Sequence, residues 1–178
     1  MKTTKLEQDR NLWKGLAAGV IGGIAASFVM DKFQAAWSAA AKSLKNSDGK
    51  ATEQQGGSED SEPSTVKAAE AVSENVFGHQ LANSEKQYAG QAVHYATGGG
   101  SAAIYGAAAE IYPEVTMGAG MPFGTAVWLV VDEGAVPALG LSKPPLEYPA
   151  STHAYAFASH LVYGLTTEFV RRAVRRVL

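Results

Sequence analysis

The sequence predicts an all-α fold, a four-helix transmembrane bundle made of two pseudo-repeated helical hairpins. Three observations carry this. Four stretches lack charge for long enough to cross a membrane: Gly15 to Met30, Gly90 to Ala109, Val115 to Val131 and Tyr148 to Thr167. The charges gather outside these stretches, which show little of the 3.6-residue alternation with Lys, Glu or Arg that a water-facing helix needs. Ionisable residues nevertheless sit in or beside each stretch: Asp31-Lys32, His94, Asp132-Glu133, and His153 with His160. Charge and imidazole are costly in hydrocarbon, so their presence points to a polar site inside the bundle. The competing architecture is an Ala-rich soluble bundle, since the first and third stretches reach the roughly 20 residues of a span only if Asp31 and Asp132 are tolerated within their helices.

Composition narrows the function classes. The chain has 178 residues, enough for one domain, and no Cys, which excludes disulfides, thiolate metal sites and thiol catalysis. Net charge is −2, so there is no basic field for nucleic acid. Mean hydropathy is only −0.08, because the polar stretch from Lys42 to Lys86 lowers it and the candidate spans use Ala and Gly in place of Leu.

The first helix is expected over Leu12 to Ala41, with 12–36 crossing the bilayer and Trp13 and Trp37 near its two ends, where interfacial aromatics belong. Its apolar part lacks an Ala-x-Ala exit and runs into Asp31-Lys32, so it reads as a retained span and not a cleaved signal. Residues 42–88 form a polar external loop. Within it, Asn46 to Thr65 has no apolar pattern and reads as flexible. Ser64 would cap a short amphipathic helix, Thr65 to Phe77, with Val66, Ala69, Val72 and Val76 on one face and Gly78 as its stop. The remaining spans are expected at 90–112, 115–141 and 150–172. The third carries Pro122 and Pro137, and Lys143-Pro144-Pro145 forces a tight loop before the fourth.

Positive residues set the topology. Lys2, Lys5, Arg10 and Lys14 flank the start, and Arg171, Arg172, Arg175 and Arg176 flank the end. Both termini are therefore expected in the cytoplasm, which four spans permit.

The two halves echo each other. Aligning Gly19 with Gly120 brings Gly23 onto Gly124 and Asp31 onto Asp132, and in the second helix of each half His94 meets His160 and Gly98 meets Gly164. Residues four apart lie on nearly one helix face. The stripes read Gly15, Gly19, Gly23, Ser27, Asp31; then Gly90, His94, Gly98; then Gly120, Gly124, Trp128, Asp132; then Ala156, His160, Gly164, Glu168. Small residues at this spacing let membrane helices approach closely, so the polar member of each stripe should face the interior. Asp31 and Asp132 lie about 17 residues beyond their cytoplasmic starts, in the outer half by helix rise. His94 and His160 lie early in helices entering from outside. Two Asp and two His are thus expected in one layer, with Glu133 beside it.

Three functions fit such a layer. Asp and His together form proton or cation relays, and Glu110 and Glu168, nearer the cytoplasm, would extend the path inward; a helix-end ion pair with Arg172 is the alternative for Glu168. A second reading is cofactor binding: haem held by His94 and His160 with Gly98 and Gly164 leaving room for the porphyrin, or a divalent metal held by the His and Asp set. The third is an accessory or scaffold subunit of a larger membrane complex or homo-oligomer, in which the polar groups fix helix register. An enzyme of soluble type is not expected, because no Ser elbow, phosphate loop or zinc-protease motif is present. Tyr95, Tyr105 and Tyr163 read as packing residues with satisfied hydroxyls.

Gly124-Thr-Ala-Val-Trp-Leu-Val-Val-Asp132-Glu133, Val136-Pro-Ala-Leu-Gly-Leu-Ser-Lys-Pro-Pro145, Ser159-His160-Leu-Val-Tyr-Gly164 and the Gly-rich first helix ending at Asp31 are distinctive. Together they resemble the YagU-like family of bacterial inner-membrane proteins, loosely over Trp13 to Met30 and well over Gly90 to Arg172. The resemblance implies an integral inner-membrane location and an association with acid resistance. It supplies no catalytic residues, and the family is described as a domain of unknown function.

Overall fold

The computed structural model describes residues 5–48 and 62–178, and every regular element among them is helical. Most of the stretch expected to be a flexible loop, Asn46 to Thr65, lies outside the described residues.

Helix α1 runs Lys5–Asp48, longer at both ends than the apolar pattern implied. The Ala-rich segment after Asp31 has high helix propensity and no Pro or Gly to stop it. Helix α2 spans Ser64–Val72 and continues through one π-helical turn, Ser73–Phe77. Pro63, not Ser64, takes the cap position, and its carbonyl accepts from the Val66 and Lys67 N–H groups. Gly78 ends the helix in the left-handed region at φ 64°. Of the expected apolar face, Val66 and Ala69 are buried, whereas Val72 and Val76 are exposed.

Helix α3 covers Asn83–Ile111. At its start the Glu85 carboxylate accepts the Ala82 N–H at 2.8 Å, half of a capping box. Lys86 braces α2 against α3 through Glu62 at 3.0 Å and Glu70 at 2.6 Å, and Val66 packs on Gly90.

The expected continuous span over 115–141 is broken. Residues Pro113–Gly120 form a 3₁₀ segment in which Gly118, Ala119 and Gly120 take positive φ. Regular helix begins only at Met121. Helix α4 comprises Met121–Val127, a π-helical stretch Trp128–Ala135, and Val136–Ala138. Pro122 sits harmlessly in its first turn. Pro137 has no N–H for the Glu133 carbonyl and its ring crowds that oxygen, which accounts for the widening just before it. A loop with the 3₁₀ turn Pro145–Glu147 leads to α5, Ala150–Arg175.

Helix α1 packs on both α3 and α5, and α4 packs on α5. Glycine sets the contacts. A Cβ at Gly15, Gly19 or Gly23 would lie 2.1–2.5 Å from a carbonyl oxygen of α3, and one at Gly120 or Gly124 would lie 2.1–2.2 Å from a carbonyl oxygen of α5. Only hydrogen fits there. The partners differ by a turn between the halves. Gly19 and Gly23 face Ala102 and Gly98, whereas Gly120 and Gly124 face Gly164 and His160. Under the internal alignment the second pair sits four residues earlier in its helix.

Small and polar residues take much of the interior beside an apolar cluster of Ala26, Met30 and Tyr163, while many large apolar side chains are exposed. The interior holds Ala18, Ala26, Ala102, Ser27, Ser159, Thr167, Glu168 and Arg171, while Ile21, Ile24, Phe28, Ile104, Leu129, Val130, Leu165 and Phe169 are exposed. Two stretches, Asn11–Ser43 and Pro113–Ala138, are long and apolar enough to cross a membrane.

Candidate functional site

At the bundle end away from the chain termini lies a cavity of about 790 Å³. All four long helices contribute ionisable groups to it. Asp31 comes from the stripe of α1, His94 from α3, Asp132 and Glu133 from the π-helical stretch of α4, and His153 and His160 from α5. Two successive acids of the π-helical stretch, Asp132 and Glu133, line the same cavity.

The two Asp–His pairs form within the halves, and they are not equivalent. Asp31 Oδ2 accepts from Gln91 Nε2 at 3.0 Å and from Tyr95 Oη at 3.1 Å. Its Oδ1 lies 3.2 Å from His94 Nε2. That contact has ion-pair distance but is out of line for a hydrogen bond, so His94 Nε2 is buried without one. Three side chains of α3 hold Asp31 in place. Asp132 is far less engaged. Its nearest ionic partner is His160 Nδ1 at 3.7 Å, too long for a hydrogen bond. His160 Nδ1 instead donates to the Ala156 carbonyl at 2.9 Å. That bond fixes the proton on Nδ1 in the neutral ring and leaves Nε2 as the acceptor.

His153 and Glu133 make a third pair, at 2.7 Å through Nδ1. The other ring nitrogen, Nε2, donates to the Pro145 carbonyl at 2.9 Å. Both nitrogens therefore face acceptors. A neutral imidazole has one N–H, so the Glu133–His153 pair must hold one proton beyond a neutral ring and a bare carboxylate. His153 stood out in the sequence as part of the fourth uncharged stretch, but the four-residue stripe through His160 does not include it. Gln91 and Tyr95 were not singled out as site residues either. Their signal was spacing: residues 91, 94 and 95 share one face of α3.

Glu168 and Glu110 lie elsewhere, toward the termini. Glu168, 2 % exposed, accepts from Arg171 Nε at 2.7 Å, from Arg171 Nη2 at 2.9 Å, from Arg172 Nε and from Tyr105 Oη at 2.9 Å. Glu110 takes a two-point contact from Arg175, which also reaches Asn11. Both carboxylates are fully engaged. Between them and the cavity, Tyr163 Oη donates to Gly98 O at 2.6 Å, and Phe123 stacks on Tyr105 with ring centroids 4.3 Å apart. The three tyrosines singled out in the sequence thus all use their hydroxyls.

The residues present do not suit the proposed cofactors. The room expected for a porphyrin beside Gly98 and Gly164 is filled. Ser27 Oγ stands 2.1 Å from where a Gly98 Cβ would be, and Gly120 O stands 2.3 Å from that of Gly164. Among the described residues, no three His, Asp or Glu side chains converge closely enough to hold a metal ion. These glycines serve helix contact.

Comparison with known proteins adds a family. A family model described as "Protein of unknown function (DUF1440)" matches residues 63–169, from the start of α2 to near the end of α5. No curated protein and no solved structure matches.

Proposed function

The chain belongs to the DUF1440 family of proteins of unknown function, and from its own geometry we propose that it is a four-span membrane protein that takes up protons or cations in an Asp/His-lined cavity. The many exposed large apolar side chains support the membrane part. Leaving a large apolar side chain such as Phe28 or Leu129 in water forgoes roughly 1.5–3 kcal/mol, and more than a dozen such residues are exposed. Lipid removes that penalty, and glycine-mediated contacts then hold the helices together. From Trp13 to Trp37, α1 rises about 36 Å, enough for a hydrocarbon core with its interfaces. The positive residues at the termini favour placing that end in the cytoplasm and the cavity in the outer half.

One observation carries the cavity's role: three carboxylate–imidazole pairs line it, and Asp132 is the carboxylate left with free acceptor capacity. Asp31 is held in place by Gln91, His94 and Tyr95. Glu133–His153 stores a proton. Asp132, beside the Nδ1–H tautomer of His160, is the group able to receive a proton or cation. Glu168 and Glu110, locked by arginines, close the inner end and are not stations on a path. A role under acid stress, as the YagU-like resemblance implies, is the physiological form of this reading.

The experiment is proton flux into liposomes containing the purified protein, read with a pH-sensitive dye. Wild type is expected to conduct, and Asp132→Asn to lose most of the flux. Equal flux in the two, or none in wild type, overturns the proposal. A chain that stays in the aqueous fraction without detergent overturns its membrane premise.

A further inference from the structure

The loop between α4 and α5, residues 139–149, forms part of the cavity wall through Leu139, Leu141, Ser142, Lys143, Pro145 and Tyr148. Its hydrogen bonds are mostly its own. Lys143 N donates to Tyr148 Oη at 3.3 Å, Ser142 Oγ to Lys143 O at 3.2 Å, Glu147 N to Pro144 O at 3.0 Å and Tyr148 N to Pro145 O at 3.1 Å. Among the described residues, one hydrogen bond ties residues 142–148 to a long helix: that of His153 Nε2 with Pro145 O, at 2.9 Å. The Tyr148 ring also meets the His153 ring edge-on, with centroids 6.4 Å apart. His153 is held in turn by Glu133 of α4 at 2.7 Å. One imidazole thus joins α4, α5 and the loop.

That double contact depends on the extra proton of the pair, whichever partner carries it. His153 and Glu133 side chains are 28 % and 19 % exposed, so the proton can pass to water. Once it leaves, one N–H remains for two acceptors. The charged carboxylate makes the stronger bond and takes it through Nδ1. Nε2 then presents a lone pair to Pro145 O, and the bond that pins the loop is lost. No other bond is broken. Asp132 of α4 and His160 of α5 line the same wall, as do Asp31 of α1, Glu62 and Lys67 beside and on α2, His94 of α3 and Lys143 of the loop, which also carries Glu147. Among the described residues, none of these side chains bonds the loop to a helix.

We propose that this loop is a proton-held cover on the cavity, pinned to α5 while the Glu133–His153 pair keeps its extra proton and freed when the pair gives it up. The pinned form binds one more proton than the freed form, so falling pH favours it. This rests on the cavity reading above and assigns the regulation of that same site.

The chain has no Cys, so Leu146→Cys, at a position 100 % exposed, accepts a single nitroxide label. The test is the electron paramagnetic resonance spectrum of the labelled full chain in detergent as pH rises from about 5 to about 10. The ratio of mobile to immobilised label should rise about tenfold or more in a one-proton transition, the loss of one charge-assisted hydrogen bond. Glu133→Gln should stay immobilised throughout, because its amide can donate to Nδ1 while a neutral ring keeps Nε2–H on Pro145 O. His153→Leu should be mobile throughout. A wild-type ratio indifferent to pH, Glu133→Gln titrating like wild type, or His153→Leu immobilised at acid pH overturns the cover. If His153→Leu fails to fold, Glu133→Gln decides alone. Proton flux measured on the same variants separates the two proposals. A proton-held loop without flux overturns the relay and leaves the cover standing, whereas flux with a loop indifferent to pH overturns the cover alone.

Discussion

Adding one methyl group at Gly124 is expected to pry α4 from α5. A Cβ there would sit 2.1 Å from His160 O, 3.0 Å from His160 C and 3.2 Å from Gly164 Cα. All three are backbone atoms, so no side-chain rotation relieves the overlap. Reaching an ordinary 3.4 Å contact requires the helices to part by about 1.3 Å. Overpacking typically costs about 1–3 kcal/mol, and a rigid backbone contact belongs at the upper end. Better helix propensity returns about 1 kcal/mol. The net loss is about 2 kcal/mol, a fall of roughly 4–8 °C in Tm for a chain of this size. Gly100→Ala is the matched control: no atom lies within 4 Å of its Cβ position, so only the propensity gain of about 0.5–1 kcal/mol remains. Thermal unfolding in detergent reads both. The displacement also draws Asp132 from His160, so flux should fall in Gly124→Ala and persist in Gly100→Ala. Gly124→Ala equal to wild type in Tm, or Gly100→Ala the less stable of the two, would refute the close-packed account.

Three further outcomes follow from other contacts. Glu168→Gln leaves the buried Arg171 guanidinium without its counter-charge and should cost about 3–5 kcal/mol; denaturant unfolding with less than 1 kcal/mol of loss would contradict the locked inner end. The hydrogen bond from Lys86 holds the Glu70 carboxyl below its ordinary range. Its contribution to docking α2 is therefore complete above the unfolded carboxyl's value, about 4.3, and is lost as pH falls through the lower folded value. Lys86, raised chiefly by its bond to Glu70, contributes fully below its unfolded value and loses this as pH climbs through the raised one. Amide exchange in α2, corrected for intrinsic rates, should quicken at those two extremes and stay flat between them. Finally, nitrogen NMR of labelled histidine, read with infrared bands of the carboxyl groups, should show the extra proton of the Glu133–His153 pair at neutral pH, either as a doubly protonated ring or as a protonated carboxyl lost in Glu133→Gln; a neutral ring together with an ionised Glu133 in wild type would remove the stored proton.

Much of the helical plan was legible in the residues because it depends on local properties. Uncharged stretches, high Ala content and glycines four apart imply helices that pack closely, whatever lies across from them. The same spacing put Asp31, His94, Asp132 and His160 on the stripes, and these four side chains are among those that line one cavity. Where a proline acts only through its own ring, as Pro137 does on the carbonyl before it, sequence also warns of a break. It could not show that the break would be a π-helical stretch, nor that Glu133 would line the cavity beside Asp132.

Tertiary structure alone decided the rest, because partner choice is a non-local matter of register. A shift of one turn changes which carbonyl a glycine meets, and Gly124 faces His160 where the internal alignment implied a different level. The same register gives Asp31 three partners from α3 and leaves Asp132 with one distant imidazole. Two aspartates aligned in sequence thus become one held by three side chains and one without a hydrogen bond. It also hands His153, outside every stripe, to Glu133 and Pro145, because a loop's closing geometry is written in no single helix's spacing. And it closes Gly98 and Gly164 with Ser27 and with the backbone of α4, since a glycine in a sequence declares that space is needed there without saying whether a ligand or a neighbouring helix takes it.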